Sequence, residues 1–205
     1  MTSTTTVTAG LLLAVAFAPA IAAEPPAMPP QAAVCTSCHG AQGQGIVPTG
    51  PRLAGLSASY MEKQIKDFQA GTRQNAIMAP MSMMLQGDAA ISTVTGFFAA
   101  QPIAPLSPIL QGEQQGFEDP AQQLAYMGDW SRNLPACVSC HGPSGVGGGD
   151  FPRLAGQQAN YLKDQLIAWQ KGTRKGDVDN MMGNVANKLT AEEVELMANY
   201  FANLK

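Results

Sequence analysis

Every cysteine and every histidine of this 205-residue chain falls within two five-residue strings, Cys35-Thr36-Ser37-Cys38-His39 and Cys137-Val138-Ser139-Cys140-His141. C-x-x-C-H is the attachment signature of c-type haem, and a second copy that uses up all remaining Cys and His makes chance an unattractive explanation. The two thiols of each string stand one helical turn apart, so both can reach the haem vinyl groups while the adjacent imidazole approaches the iron from one side. The chain is therefore expected to carry two covalent haem c groups. Cys35, Cys38, Cys137 and Cys140 would form the thioether bonds, and His39 and His141 would be the proximal iron ligands. Disulfide loops or zinc sites would use the cysteines but would not explain the histidine that follows each pair, nor the lack of further ligands.

The strings belong to a longer repeat with a period of about a hundred residues. Cys35 to Gly40 matches Cys137 to Gly142, and Pro51-Arg52-Leu53-Ala54-Gly55 matches Pro152-Arg153-Leu154-Ala155-Gly156. Tyr60, Gln64 and Phe68 then match Tyr161, Gln165 and Trp169, and Gly71-Thr72-Arg73 matches Gly172-Thr173-Arg174. Two domains of one design are expected, over residues 24–100 and 118–205. Between them, residues 101–117 hold Pro102, Pro105 and Pro108 at a spacing of three, then Gly112 and Gly116, the pattern of a stiff connector with a looser end. A domain of roughly 80 residues is only marginally stable on its side-chain core, and an enclosed haem would complete its apolar centre.

Residues 1–23 read as a signal peptide: a short apolar stretch from Gly10 to Ala18, then Pro19 and the small-residue run that ends at Ala23. Met1 to Ala9 lacks the Lys or Arg usual in such a segment. Cleavage is expected near Ala23 or Glu24, because the stretch is shorter than the roughly 18 apolar residues of a spanning helix. Export to the periplasm follows, and it agrees with haem attachment outside the cytoplasm. Membrane association would come only through a partner or an uncleaved signal.

The pattern of the rest is helical. Ser57 or Ser59 can cap a helix that carries Tyr60, Ile65 and Phe68 on one side and ends at Gly71; Tyr161, Leu162, Leu166 and Trp169 before Gly172 repeat it. Thr190-Ala191-Glu192-Glu193 has the form of a capping box ahead of Val194, Met197, Phe201 and Leu204, and Asp88, Ile91, Val94 and Phe98 form a weaker counterpart. No period-two run of useful length appears, so the fold class is all-α. The second domain has an apparent leading helix from Pro120 to Trp130. In the first, Pro25, Pro26, Pro29 and Pro30 prevent most of one, which would leave the first haem the more exposed.

With the histidines and cysteines spent, the far side of each iron is left to Met, Lys, Tyr, an amide, water or an open position. Met is favoured, since a thioether raises the reduction potential and suits electron transfer. At this point the sequence resembles class I cytochromes c, and specifically the two-domain dihaem cytochrome c4 family, through its paired C-x-x-C-H-G, PRLAG, Y-x-x-x-Q and GTR elements. The resemblance covers almost all of the chain after the first segment. It implies two tandem cytochrome c domains related by a pseudo-twofold axis, with the haem propionates near their interface. It also implies a Met ligand eight residues before the residue that opens the last helix. That count reaches Met182 from Thr190, and alignment of Leu85-Gln86 with Leu189-Thr190 places Met78 at the same point, with Met81 and Met181 as rivals. The carbonyls of Pro51 and Pro152 would orient the proximal imidazoles. Arg52, Arg73, Arg153 and Arg174 are candidates to face propionates.

Two other features have plainer readings. The methionine-rich run Met78 to Met84 could suggest Cu(I) binding, but one iron ligand within a packed segment explains it more simply. Gly145 to Gly149 lacks the Lys-Ser/Thr ending of a phosphate loop and reads as a haem-flanking loop.

The resemblance implies a periplasmic carrier of single electrons between a donor and a terminal oxidase or other acceptor, with no substrate transformed. An alternative is a permanent haem c subunit of a periplasmic dehydrogenase complex. Catalytic haem sites generally use a further His or a Cys ligand, and none is left. With 12 Lys and Arg against 15 Asp and Glu, the chain has no basic excess for nucleic acid. Residues 24–100 hold four basic and four acidic side chains and residues 118–205 hold eight and ten, so neither domain has strong steering charge toward its redox protein partners.

Overall fold

Ser57 opens the first long helix by accepting a hydrogen bond from the Tyr60 N–H, and Gly71, at φ +72°, turns the chain away after its end. The structure, a computed structural model, describes residues 26–103, 106 and 117–204. The segment read as a signal peptide and most of the Pro-rich connector lie outside the described residues. The first half runs α1 (Thr36–His39), α2 (Ala58–Gln69), α3 (Met78–Met83) and α4 (Asp88–Ala99); the second runs α5 (Pro120–Tyr126), α6 (Val138–His141), α7 (Ala159–Gln170), α8 (Met181–Ala186) and α9 (Ala191–Asn203). Among the described residues, β pairing is limited to isolated bridges, as expected of an all-α protein.

In the first half α2 packs on α3 and α4, and Tyr60, Met61, Ile91, Val94, Phe97 and Phe98 form the core. Phe98 is 1% exposed, and a side chain of that size contributes about 2–3 kcal/mol on burial. In the second half α7 packs on α8 and α9 around Leu162, Met197, Ala198 and Phe201, with Leu124 and Ala125 supplied by α5. The C-terminal helix has the expected capping box: Thr190 Oγ1 accepts from the Glu193 N–H, and the Glu193 carboxylate accepts from the Thr190 N–H. Its counterpart α4 starts from Gly87 with no side-chain cap.

The leading segments differ from their expected extents. Helix α5 ends at Tyr126, not Trp130, because Gly128 takes φ +69° and Asp129 starts a separate 3-10 turn at Trp130–Arg132. The first half has a 3-10 turn over Pro30–Cys35, where prolines block a longer helix but Ala32 is still fully buried against the core.

The halves meet through paired contacts. Arg73 and Arg174 form an antiparallel bridge, in which the Gln74 N–H donates to Thr173 O at 2.8 Å and the Lys175 N–H donates to Thr72 O at 2.7 Å. The Gln157 amide pairs with both backbone groups of Arg52, at 2.9 Å each. The reciprocal form of the bridge is that of a pseudo-twofold relation between the domains.

Candidate functional site

The C-x-x-C-H strings form the single turns α1 and α6, and each ends on a glycine at positive φ, Gly40 and Gly142. The backbone is then folded back under the histidine: the Gly45 N–H donates to His39 O at 2.8 Å and the Gly147 N–H donates to His141 O at 2.7 Å. This return brings the two prolines into place. His39 Nδ1 lies 2.8 Å from Pro51 O and His141 Nδ1 lies 2.8 Å from Pro152 O. A carbonyl can only accept, so Nδ1 carries the proton and Nε2 is left with its lone pair for a metal. Burial lowers the pKa of both imidazoles. The prolyl carbonyl opposes this in each, and at His141 the charge of Arg174 adds to the lowering. Neutral imidazole is the form that ligates iron.

None of the four cysteines is paired in a disulfide. Burial, with Cys38 nearby, raises the pKa of Cys35, and burial pushes that of Cys137 up to about 11. Neither sits in an environment that makes a standing thiolate. Among the described residues no group of three or more His, Cys, Asp or Glu side chains gathers to hold a metal ion.

In the first half Cys35, Cys38, His39 and Pro51 border a cavity of about 600 Å³, and Met78 and Met81 border it as well. Its volume suits a ligand of cofactor size. Met78 begins α3, its N–H held by Asn75 Oδ1 at 2.8 Å; Met182 lies in the first turn of α8, its N–H held by Asp177 Oδ2 at 2.5 Å. Met181 is 41% exposed, whereas Met182 is half-buried. Met83 and Met84 are exposed, and Met84 also borders the cavity. The Gly145 to Gly149 loop meets His141 through the Gly147 N–H.

The arginines make contacts beyond those read from the sequence. Arg73 donates to Gln64 and Gln165 Oε1 and to Tyr161 OH, and Arg174 donates to Gln165 and Gln64 Oε1 and to Tyr60 OH. Arg153 donates through Nε to Ala155 O. These three side chains are buried and their hydrogen-bond partners are neutral, and Arg73 and Arg174 border the cavity as well. Arg52, which also borders the cavity, keeps a buried Nε with no hydrogen-bond partner. That orphaned donor fits a bound carboxylate such as a haem propionate.

Sequence reasoning missed one pair of positioning residues. Gln69 Nε2 donates to Ser82 O and Leu85 O, and Gln170 Nε2 donates to Ala186 O and Leu189 O, which ties α3 and α8 to the long helices. The repeat offset changes between these helices and the methionine segments, so the equivalence was visible only once both were aligned separately.

Residues 31–104 and 122–205 both match the family described as cytochrome c. The chain belongs to the cytochrome c family. It is 34% identical over 174 residues to cytochrome c4 of Thiocapsa roseopersicina, covering 83% of this chain and 87% of that protein. It is 44% identical over 177 residues to the thiosulfate dehydrogenase electron acceptor of Stutzerimonas stutzeri (strain A1501), covering 85% and 81%. Among solved structures, reduced recombinant cytochrome c4 from Pseudomonas stutzeri superposes with a TM-score of 0.73 at 30% identity, covering 85% of this chain and 95% of that one. Thiosulfate dehydrogenase from Marichromatium purpuratum gives a TM-score of 0.73 at 40% identity over 83% of this chain; this chain spans only 36% of that protein. The protein is a two-domain cytochrome c of the cytochrome c4 kind, a carrier of electrons with one haem c for each C-x-x-C-H turn. No described helix is long and apolar enough to cross a membrane.

Proposed function

We propose that this cytochrome is a periplasmic carrier that accepts single electrons from a dehydrogenase oxidising an inorganic sulfur compound and delivers them to a terminal oxidase or another acceptor. Haem c, when bound, supplies the one-electron Fe(III)/Fe(II) couple. Cys35, Cys38, Cys137 and Cys140 hold it covalently, His39 and His141 ligate one side, and Met78 and Met182 stand on the other. Within residues 24–100 and 118–205, the protein's part is to keep these groups fixed, so that little rearranges when an electron arrives. In this reading the protein transforms no substrate of its own.

The observation that carries this reading is the matched pair of 2.8 Å bonds from His39 and His141 to prolyl carbonyls, which aim both imidazoles as iron ligands. The sulfur-compound donor rests on relatives named as electron acceptors of thiosulfate dehydrogenase, at 44% and 38% identity. The test has two parts. A pyridine haemochrome assay of the mature protein should count two haems c per chain. Rapid mixing of the oxidised protein with a thiosulfate dehydrogenase and thiosulfate should reduce both haems, with no reduction by thiosulfate alone. A protein that stays oxidised in the complete mixture would exclude that donor, and permanent co-purification with a catalytic chain would make it a subunit in place of a free carrier.

A further inference from the structure

The first-domain cavity is not closed by the first domain alone. Its wall includes Tyr161, Gln165 and Arg174 of the second domain, on the side facing Tyr60, Gln64 and Arg73. Arg174 is 8% exposed and Arg73 is 7% exposed. They are cross-wired: Arg174 Nη2 reaches Tyr60 OH at 2.9 Å and Gln64 Oε1 at 3.0 Å, while Arg73 Nη2 reaches Tyr161 OH at 2.8 Å and Gln165 Oε1 at 2.7 Å. Each guanidinium also stacks on an aromatic ring of its own domain, Arg73 over Phe68 at 4.5 Å and Arg174 over Trp169 at 4.8 Å. All these partners are neutral. Among the described residues, no carboxylate forms an ion pair with either arginine; the nearby Asp67 is engaged by Lys63 at 2.7 Å.

Two buried cations whose hydrogen-bond partners are neutral, with Asp67 the one carboxylate acting on Arg73 among the described residues, exert a long-reaching field, because little solvent screens them. Tyr161 registers it: burial alone would raise the pKa of its hydroxyl, yet Arg73 and Arg174 hold it below the ordinary value. Arg174 faces the first cavity directly, and by the pseudo-twofold relation it stands to the second site as Arg73 stands to the first.

We propose that Arg174, with its counterpart Arg73, is a positioning residue shared by both haem sites, whose charge raises the reduction potentials of the two irons together. This rests on the two-haem reading above. A fixed positive charge disfavours Fe(III) relative to Fe(II), so its removal lowers the potential of each iron within reach of the field.

The test is a spectroelectrochemical titration of the full-length mature protein as wild type, Arg174→Gln, Arg174→Lys and Gln157→Leu. Arg174→Gln is expected to shift both one-electron steps toward Fe(III) by about tenfold, which is about 59 mV for one electron. Arg174→Lys keeps the charge and should restore both steps to within about threefold of wild type. Gln157→Leu loosens the same interface without changing charge, and should leave both steps within about that margin. A shift in one step only, no shift, or an equal shift in Gln157→Leu would overturn the proposal. If Arg174→Gln yields no mature protein, Arg73→Gln takes its place with the same threshold. A wild-type haem count other than two would instead refute the underlying reading, and the haemochrome assay on the same samples separates the two failures.

Discussion

Gln69 and Gln170 occupy equivalent places at the ends of α2 and α7, and each spends both amide hydrogens on two carbonyls of the neighbouring methionine-bearing segment, at 2.8–3.0 Å and 2.9–3.1 Å. The methionines are thus fixed through the backbone of short helices that could not hold themselves, six residues being too few for independent helical stability. Gln69→Leu should cost about 1–3 kcal/mol, since it strands buried carbonyls. Urea unfolding of the matured protein would measure this. The far-red charge-transfer band of Met–Fe(III) should lose intensity from one haem only.

Met78 and Met81 both border the first cavity, and they make separable predictions. Met78→Ala should abolish half of that far-red band and lower one midpoint potential by on the order of 0.2 V, as thioether ligation is lost. Met81→Leu, a volume-conserving change, should leave both spectrum and potential near wild type. Met182→Ala should repeat the Met78 result for the other haem, and Met181→Leu should not. The opposite pattern would assign the ligand to the neighbour.

What the sequence disclosed follows the range of its interactions. The haem-binding turns, the helix carrying Tyr60 and Phe68, and the Thr190 capping box depend on residues within one or two turns, and all are legible as local patterns. The end of α5 was not, because its limit depends on Gly128 adopting φ +69° where the chain packs against Leu134 to Ala136. The interface contacts of the arginines were hidden for a related reason. Guanidinium chemistry suits a carboxylate, but a single chain read in order does not reveal that Arg73 meets Tyr161, 88 residues away, across a domain interface. Likewise the Gln69 and Gln170 ties became visible only when side chains met backbone in three dimensions.

Gly147 permits the close return of backbone that orients His141. It takes φ +80°, and a Cβ there would lie 2.5 Å from Arg153 N and 2.9 Å from the carbonyl carbon of Pro152. Those are backbone atoms, so the strain has no flexible side chain to relieve it. Gly147→Ala should destabilise the second domain by about 2–3 kcal/mol and displace the Pro152 carbonyl from His141 Nδ1. Thermal unfolding would register the first effect, and a shift in one of the two midpoint potentials the second. Gly71→Ala, where nothing lies within 4 Å of the new carbon, should show the conformational cost alone and leave both potentials in place.

Glu193 links acid stability to the capping of α9. Arg132 holds its carboxyl below the usual carboxylate range through hydrogen bonds of 2.7 and 3.1 Å, partial burial opposes this, and the Thr190 backbone adds to the lowering. Because the folded-state pKa is depressed, the unfolded chain takes up its proton first as the pH falls. The contribution is therefore complete above the unfolded value, near about 4.3, and is lost as the pH drops through the folded value. Glu193→Gln should remove part of this dependence: the variant should be less stable at neutral pH by about 1 kcal/mol, a figure discounted for the partly solvated ion pair, and should lose less on going to acid. Urea midpoints measured from neutral pH down to below pH 4 would check it. Curves for wild type and variant that run parallel throughout would show that the Arg132 pair adds nothing to the cap.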